Sequence, residues 1–456
     1  MTTVSEKFAA HYRARREMSD PADLARLFIA RLCYPLDSRL STAASELLKS
    51  VGAGQFTQLT GRTAGEFAVW LRDFITLGHR TRGVSFYPLH PLLSRAFNGE
   101  EARADGFVMS LVRSFGADER RCLIDRLWND HLPPFERMLY DLIEWQSPGL
   151  GVLTTDIPDV AVVDSGLTEE SVAILTCARE DLLALAQAAN GVQNFVEHAG
   201  RLLALTLARF FLTQAGLNFT LPIYIAPAAD SHEGVRTLAH EIIETHRALL
   251  ERALRLQFES FYQESVSEAG ALADPQDMAA ARALTQQIFH YNANIVPQDA
   301  NRYAELRREH QTLCQIAYHY YWRHSGAASR FLRQLYAAQL NLTKKAGIAN
   351  SRSRYSTWHY YWLSPELVET LLLVSRPRLQ VDRILMVDLL CDWRERYGLA
   401  LFVDESWEEV YRTNFRGLGN PEALNEANQR CFAEILAEHG RLEKNSDDFP
   451  WVILED

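Results

Sequence analysis

Cysteine is scarce in this chain and widely scattered. No two of Cys33, Cys122, Cys177, Cys314, Cys391 and Cys431 fall within thirty residues of each other. That spacing excludes a zinc ribbon and a CxxC redox pair. Reduced cysteines, mostly in the core, are the expectation. Long apolar runs are missing too. The longest, Leu202 to Leu212, is interrupted by Thr206 and Arg209, well short of the roughly 20 residues of a membrane span. The start, Met1-Thr-Thr-Val-Ser-Glu-Lys7, has neither the basic residues nor the apolar stretch of a secretory leader. A soluble, cytoplasmic protein with no membrane partner is expected.

The usual chemistry-bearing motifs are also absent. There is no GxxxxGK[ST] and no GxGxxG after a strand, so a nucleotide cradle has no anchor. There is no GxSxG elbow for a hydrolase nucleophile. Gly149-Leu-Gly151 and Gly417-Leu-Gly419 read as turns. His240-Glu241-Ile242-Ile243-Glu244 begins like a zincin helix, but the position four residues on is Glu244. The zincin motif needs a second His there, so that two imidazoles meet one metal. His246 falls on another face. The main reading is the solvated flank of a helix. The alternative is a scattered, metal-dependent enzyme site that includes His240 and Glu244. No catalytic residue, metal or cofactor is assigned.

Glycine and proline are few, at 23 and 16 of 456 residues, which favours helix. With 47% apolar and 23% charged residues, the chain can bury cores for two or three domains. The expected fold is mainly α: multi-helical bundles with a small C-terminal winged-helix-like module. Four segments are expected: 1–148, 165–322, a basic stretch 323–363, and 364–456. Helix signals include Thr168 before Glu169 and Glu170, the stop at Asn190-Gly191, Ser364-Pro365, and Asn420-Pro421. The helix Val192–Ala215 is apolar on nearly all sides and is expected at the centre of a core. Short extended segments are expected at 221–227, 399–403 and 451–454. The stretch Lys344–Arg354 is read as a turn or loop.

One local absence outweighs the others. From His310 to Pro365 there is no Asp or Glu, while Arg323, Arg330, Arg333, Lys344, Lys345, Arg352 and Arg354 are present. This stretch therefore carries +7 within a chain of net charge −11. Uncompensated cations with interleaved aromatics suit contact with a phosphate backbone. The same surface also suits an acidic protein partner, and both readings stand. Two His-Tyr-Tyr-Trp tetrapeptides, His319–Trp322 and His359–Trp362, lie at its ends. Their rings could stack on bases, though helical spacing of Tyr318, Tyr321 and Trp322 fits a buried stripe.

Two runs in the C-terminal third carry a family likeness. The first is Arg352-Ser-Arg-Tyr-Ser-Thr-Trp-His-Tyr-Tyr-Trp-Leu-Ser-Pro-Glu-Leu-Val-Glu-Thr-Leu-Leu-Leu-Val374. The second is Leu385-Met-Val-Asp-Leu-Leu-Cys-Asp-Trp-Arg-Glu-Arg-Tyr-Gly-Leu-Ala-Leu-Phe-Val403. Together they resemble the tail of the DptG family, accessory subunits of phosphorothioation-dependent DNA restriction, and tails of related anti-phage accessory proteins. The likeness covers about 100 of the 456 residues and is a pattern of apolar helix positions. It implies a non-enzymatic subunit of a defence complex, working beside a DNA-translocating ATPase and other subunits.

Overall fold

The computed structural model of the chain describes residues 20–33, 105–126, 168–189, 192–213, 223–224, 226, 232–249, 304, 308, 340–353, 356–403, 420–444 and 450–454. Within them helix predominates, as the composition leads one to expect. The elements in chain order are α1 (Pro21–Cys33), α2 (Asp105–Arg113), α3 (Ala117–Ile124), α4 (Glu169–Ala188), α5 (Val192–Thr213) and β1 (Ile223–Tyr224). Next come α6 (233–249) and α7 (340–345). The rest are β2 (Ala349–Ser351), β3 (His359–Tyr361), α8 (Pro365–Leu379), β4 (Arg383–Leu385), α9 (Met386–Tyr397), β5 (Leu399–Ala400), α10 (Pro421–Glu438), β6 (Leu442–Lys444) and β7 (Pro450–Ile453). The sequence pattern also predicts helices over Thr42–Val51, Ala64–Leu77, Phe135–Glu144 and Pro275–Tyr291, and these lie outside the described residues.

α5 is the central helix, packed between α1 and α4. Phe195, Leu203 and Leu205 on different sides of it are fully buried or nearly so, which is why its apolar residues form no single stripe. Each such side chain contributes roughly 2 kcal/mol by leaving water. α1 reaches α5 at Gly200. A Cβ there would sit 2.6 Å from the Pro21 carbonyl carbon, so only glycine admits the approach. α4 is capped by Thr168, whose Oγ1 accepts from the Ser171 amide at 3.2 Å. α8 packs on α4 and α5.

One polar contact between α5 and α8 is fully enclosed. His198 Nδ1 lies 2.7 Å from Thr370 Oγ1, which itself donates to the Glu366 carbonyl. The hydroxyl proton is thus committed, so Nδ1 is the donor to Thr370 and Nε2 accepts from Asn194, 3.3 Å away. The ring is neutral, and burial, with Arg201 nearby, lowers its pKa to about 4. The unfolded chain takes up a proton near pH 6.5, while the native ring resists it. Stability from this site is therefore full above about pH 6.5 and lost as pH falls toward 4, by up to about 3 kcal/mol. Denaturant unfolding across that window should show the stability of the wild type relative to His198→Gln falling as pH is lowered from about 6.5 toward 4. A parallel decline in the two proteins would refute this assignment.

In the last ninety residues the observed order differs from the predicted one. The apolar pattern predicts a first helix over Pro365–Val374 and a second over Gln380–Tyr397, but the second run is not one helix. α8 continues past Val374 and through Pro377 to Gln380, whose φ of 55° ends it. β4 follows before α9 begins. The reason is tertiary: β4 pairs antiparallel with β7, Arg383 opposite Ile453 and Leu385 opposite Trp451. β6 pairs with the other edge of β7, giving the order β4-β7-β6. α9 packs on β4 and β7, and α10 on β6. Trp393 and Phe432 meet edge to face at 5.7 Å in the core between α9 and α10. Asn425 gives and takes backbone hydrogen bonds with Val403, and Asn428 donates to the Leu401 carbonyl, so α10 holds residues 401–403 by side-chain amides. Gly398 ends α9 in the left-handed conformation, as its position suggested.

A short stretch joins the C-terminal elements to the basic region. β1 runs parallel to β5, Ile223 opposite Leu399. Two residues on, Ala226 exchanges backbone hydrogen bonds with Tyr361 and Leu363. Of the cysteines, Cys122 and Cys391 are exposed and Cys177 and Cys431 half-buried. The expectation of core cysteines fails for these four, which lie on the outward or flanking faces of their helices. Among the described residues no helix is long and apolar enough to cross a membrane.

Candidate nucleic-acid interface

The basic stretch is described over α7, β2 and β3. Lys344 and Lys345 end α7. Gly347, at φ +78°, turns the chain into β2. β2 and β3 then form an antiparallel hairpin, Ala349 opposite Tyr361 and Ser351 opposite His359. The expected loop is therefore part strand. Its pairing is carried by backbone groups and by the burial of Tyr360 and Tyr361 at 3% and 6% exposure, neither of which a turn signal at Gly347 and Asn350 discloses.

The hairpin docks on α6. His240 Nδ1 is 2.6 Å from the His359 carbonyl, and its ring stacks on Trp358 at 4.5 Å. His246 Nδ1 meets the Tyr361 hydroxyl at 2.9 Å. The second His-Tyr-Tyr-Trp is thus packing material in its two tyrosines. The histidines of α6 serve that packing. Glu244 pairs with Arg247 at 3.4 Å instead of joining His240. No group of three potential metal ligands comes together among the described residues.

Three of the seven predicted phosphate contacts are described. Arg323, Arg330, Arg333 and Arg354 lie outside the described residues, as does the first His-Tyr-Tyr-Trp. Lys344 is half-buried, and burial lowers its pKa. Burial lowers the His359 pKa to about 4, and the positive charge of Lys344 pushes in the same direction. Lys345 is exposed, and its Nζ lies 3.4 Å from Asp20 at the start of α1. Arg352 is 62% exposed, 3.4 Å from Glu233 at the start of α6. Its guanidinium also sits over the Trp358 ring at 5.7 Å.

A second charged cluster, unmarked in the sequence, gathers around the buried Asp181. Asp181 of α4 accepts from Arg396 Nε at 2.8 Å and faces Arg378 at 3.9 Å. Arg378 grips Asp392 through both terminal nitrogens. Arg209 of α5 donates to the Arg396 carbonyl. Burial pushes the Asp181 carboxyl up to about 6 against the pull of Arg396. Burial alone would depress Arg396, but Asp181 beside it holds it firmly charged. Burial likewise lowers Arg209 to about 10. The spacing of these residues along the chain carries no motif. Only the meeting of four helices assembles them.

Comparison of the chain with protein-family models, curated proteins and solved structures finds no match.

Proposed function

We propose that this chain is a non-enzymatic accessory subunit of a bacterial DNA-targeting anti-phage complex. In this reading residues 323–354 contact the DNA backbone, and other subunits dock elsewhere. One observation carries it: fifty-six consecutive residues without a carboxylate in an otherwise acidic chain. The exposure of Lys345 and Arg352 supports it, since a phosphate can reach both. The likeness of residues 352–403 to the DptG tail supports the setting: a defence assembly that includes a DNA-translocating ATPase.

The C-terminal elements support a winged-helix-like module. Helix, strand, helix, the short strand β5, helix and hairpin follow in order among the described residues, and β4 lies beside β7. In helix-turn-helix proteins the helix before the hairpin enters the major groove. That position is held by α10, which exposes Glu422, Glu426, Glu434 and Glu438 against the single cation Arg430. Such a face repels phosphate, so this module is assigned to subunit docking and the DNA contact to the basic stretch.

The test is binding of a short labelled duplex across a salt series. The quadruple charge reversal of Arg330, Arg333, Lys344 and Lys345 should abolish binding at moderate salt. Single reversals should each reduce the slope of log K against log salt by about one. Unchanged affinity and slope would overturn the reading. The second reading is an assembly subunit whose basic stretch binds an acidic partner. It is favoured by the pairing of Lys345 and Arg352 with carboxylates of this same chain, and tight co-purification of a partner with no duplex binding would select it.

A further inference from the structure

Among the described residues, the two exposed cations of the basic stretch, Lys345 and Arg352, are each met by a carboxylate from a remote part of the chain. We propose that Asp20 and Glu233 are built-in phosphate mimics, which keep Lys345 and Arg352 self-neutralised until a polyphosphate backbone displaces them. The inference rests on the DNA-contact reading above and concerns how that contact is regulated.

The geometry is that of an exchangeable pair. Both separations are 3.4 Å, longer than a tight charge-assisted hydrogen bond. Both cations keep about half or more of their side-chain surface in solvent, at 48% and 62%. A phosphate therefore has an approach that needs no unfolding. Each carboxylate also has a second partner to fall back on. The other oxygen of Asp20 accepts from the Ala22 amide at 3.0 Å, capping α1. Glu233 is already held by Arg236 at 2.6 Å. Both acids also stand at helix N-termini, where the partial positive charge of the first turn stabilises them. Losing Lys345 or Arg352 to a ligand leaves neither acid stranded.

The cations are held in position while they wait. Arg352 rests against Trp358, which stacks on His240 of α6. Lys345 ends a helix that leads directly into the hairpin. The cluster around Asp181 differs: Arg396 and Arg378 expose only 11% and 16% of their side chains and hold their carboxylates more closely, Arg396 meeting Asp181 at 2.8 Å. The carboxylates at the surface therefore set a threshold. An isolated anion gains too little to displace them, whereas a backbone that presents several phosphates at once replaces both together.

The test compares three full-length proteins in duplex-binding anisotropy: wild type, D20N/E233Q and K345E/R352E. Asn at position 20 retains the capping oxygen, and E233Q gives up the Arg236 pair and one helix N-terminal charge, so D20N/E233Q should melt only slightly below wild type. It should bind the duplex about fivefold more tightly, the gain expected from releasing two surface ion pairs. K345E/R352E should bind more weakly. If D20N/E233Q binds no more tightly than wild type while K345E/R352E loses affinity, the DNA contact stands and the self-neutralisation is wrong. If none of the three binds duplex, both fall. A gain in D20N/E233Q for a poly-glutamate peptide but not for duplex would overturn the proposal in favour of an acidic protein ligand.

Discussion

Asp181→Leu is expected to destabilise the fold by about 3 kcal/mol, because it strips a carboxylate from a buried site that still holds two guanidinium groups. Asp181 is 2% exposed. It faces Arg396 at 2.8 Å and Arg378 at 3.9 Å. Arg396 keeps Glu180 at 3.0 Å and the Cys177 carbonyl, and Arg378 keeps Asp392. These remaining partners hold the loss near the lower end of the range for a broken buried pair. Arg396→Met should cost a similar amount, since it leaves the acid without its nearest cation and facing the more distant Arg378. The double variant, with both charges replaced by apolar groups, should recover most of the loss. Thermal and denaturant unfolding of the four proteins gives the coupling energy directly. Additive losses would show that the two residues do not depend on each other.

The sign of the pH response gives a second check on the same site. The Asp181 carboxyl titrates near 6 in the fold, against an ordinary value near 4. The native state therefore binds a proton more readily than the unfolded chain between about pH 4 and 6. Stability from this group is fully present below about pH 4 and is lost as pH rises through 6. Asp181→Asn removes that dependence. His198 runs the other way across an overlapping window, so the wild-type curve is flatter between pH 4 and 6 than either single variant alone would suggest.

The local signals in the sequence were reliable wherever the backbone's own needs decide the outcome. Ser364 accepts from the Leu367 amide with Pro365 next in line, and Thr168 and Asn420 cap α4 and α10. Each is a short-range hydrogen bond, legible from one residue and its neighbours. The apolar girth of α5 announced a core helix for the same reason: burial on all sides needs apolar residues on all sides. β2, β3 and β4 could not be read because three-residue strands have almost no periodicity of their own. β2 and β3 exist through each other and their packing, and β4 through Trp451 and Val452, many residues away. At the candidate interface, charge alone marked Lys344, Lys345 and Arg352. What sequence could not disclose was that Asp20 and Glu233 fold back onto two of them, since ion pairs between remote segments follow from topology.

Gly347→Ala should be the other strongly disruptive substitution, costing about 3 kcal/mol from three sources. Its φ of +78° is a conformation that costs an alanine roughly 1 kcal/mol or more. An added Cβ would lie 2.7 Å from Ser364 Cβ and would collide with Ser364 Oγ. That hydroxyl caps α8, and displacing it forfeits about another 1 kcal/mol. The remainder is steric. Ser364 is 2% exposed and its amide donates to the Gly347 carbonyl, so the two residues cannot part without breaking the joint between α7, the hairpin and α8. Ser364→Gly alone should cost only a few tenths to 1 kcal/mol, because glycine is a tolerable cap. In the Gly347→Ala/Ser364→Gly pair the collision is gone and only the backbone strain persists. The double variant should therefore unfold at a higher denaturant concentration than Gly347→Ala alone. If it is no more stable, the cost lies wholly in the left-handed turn, and the contact with the α8 cap does not hold the basic hairpin in place.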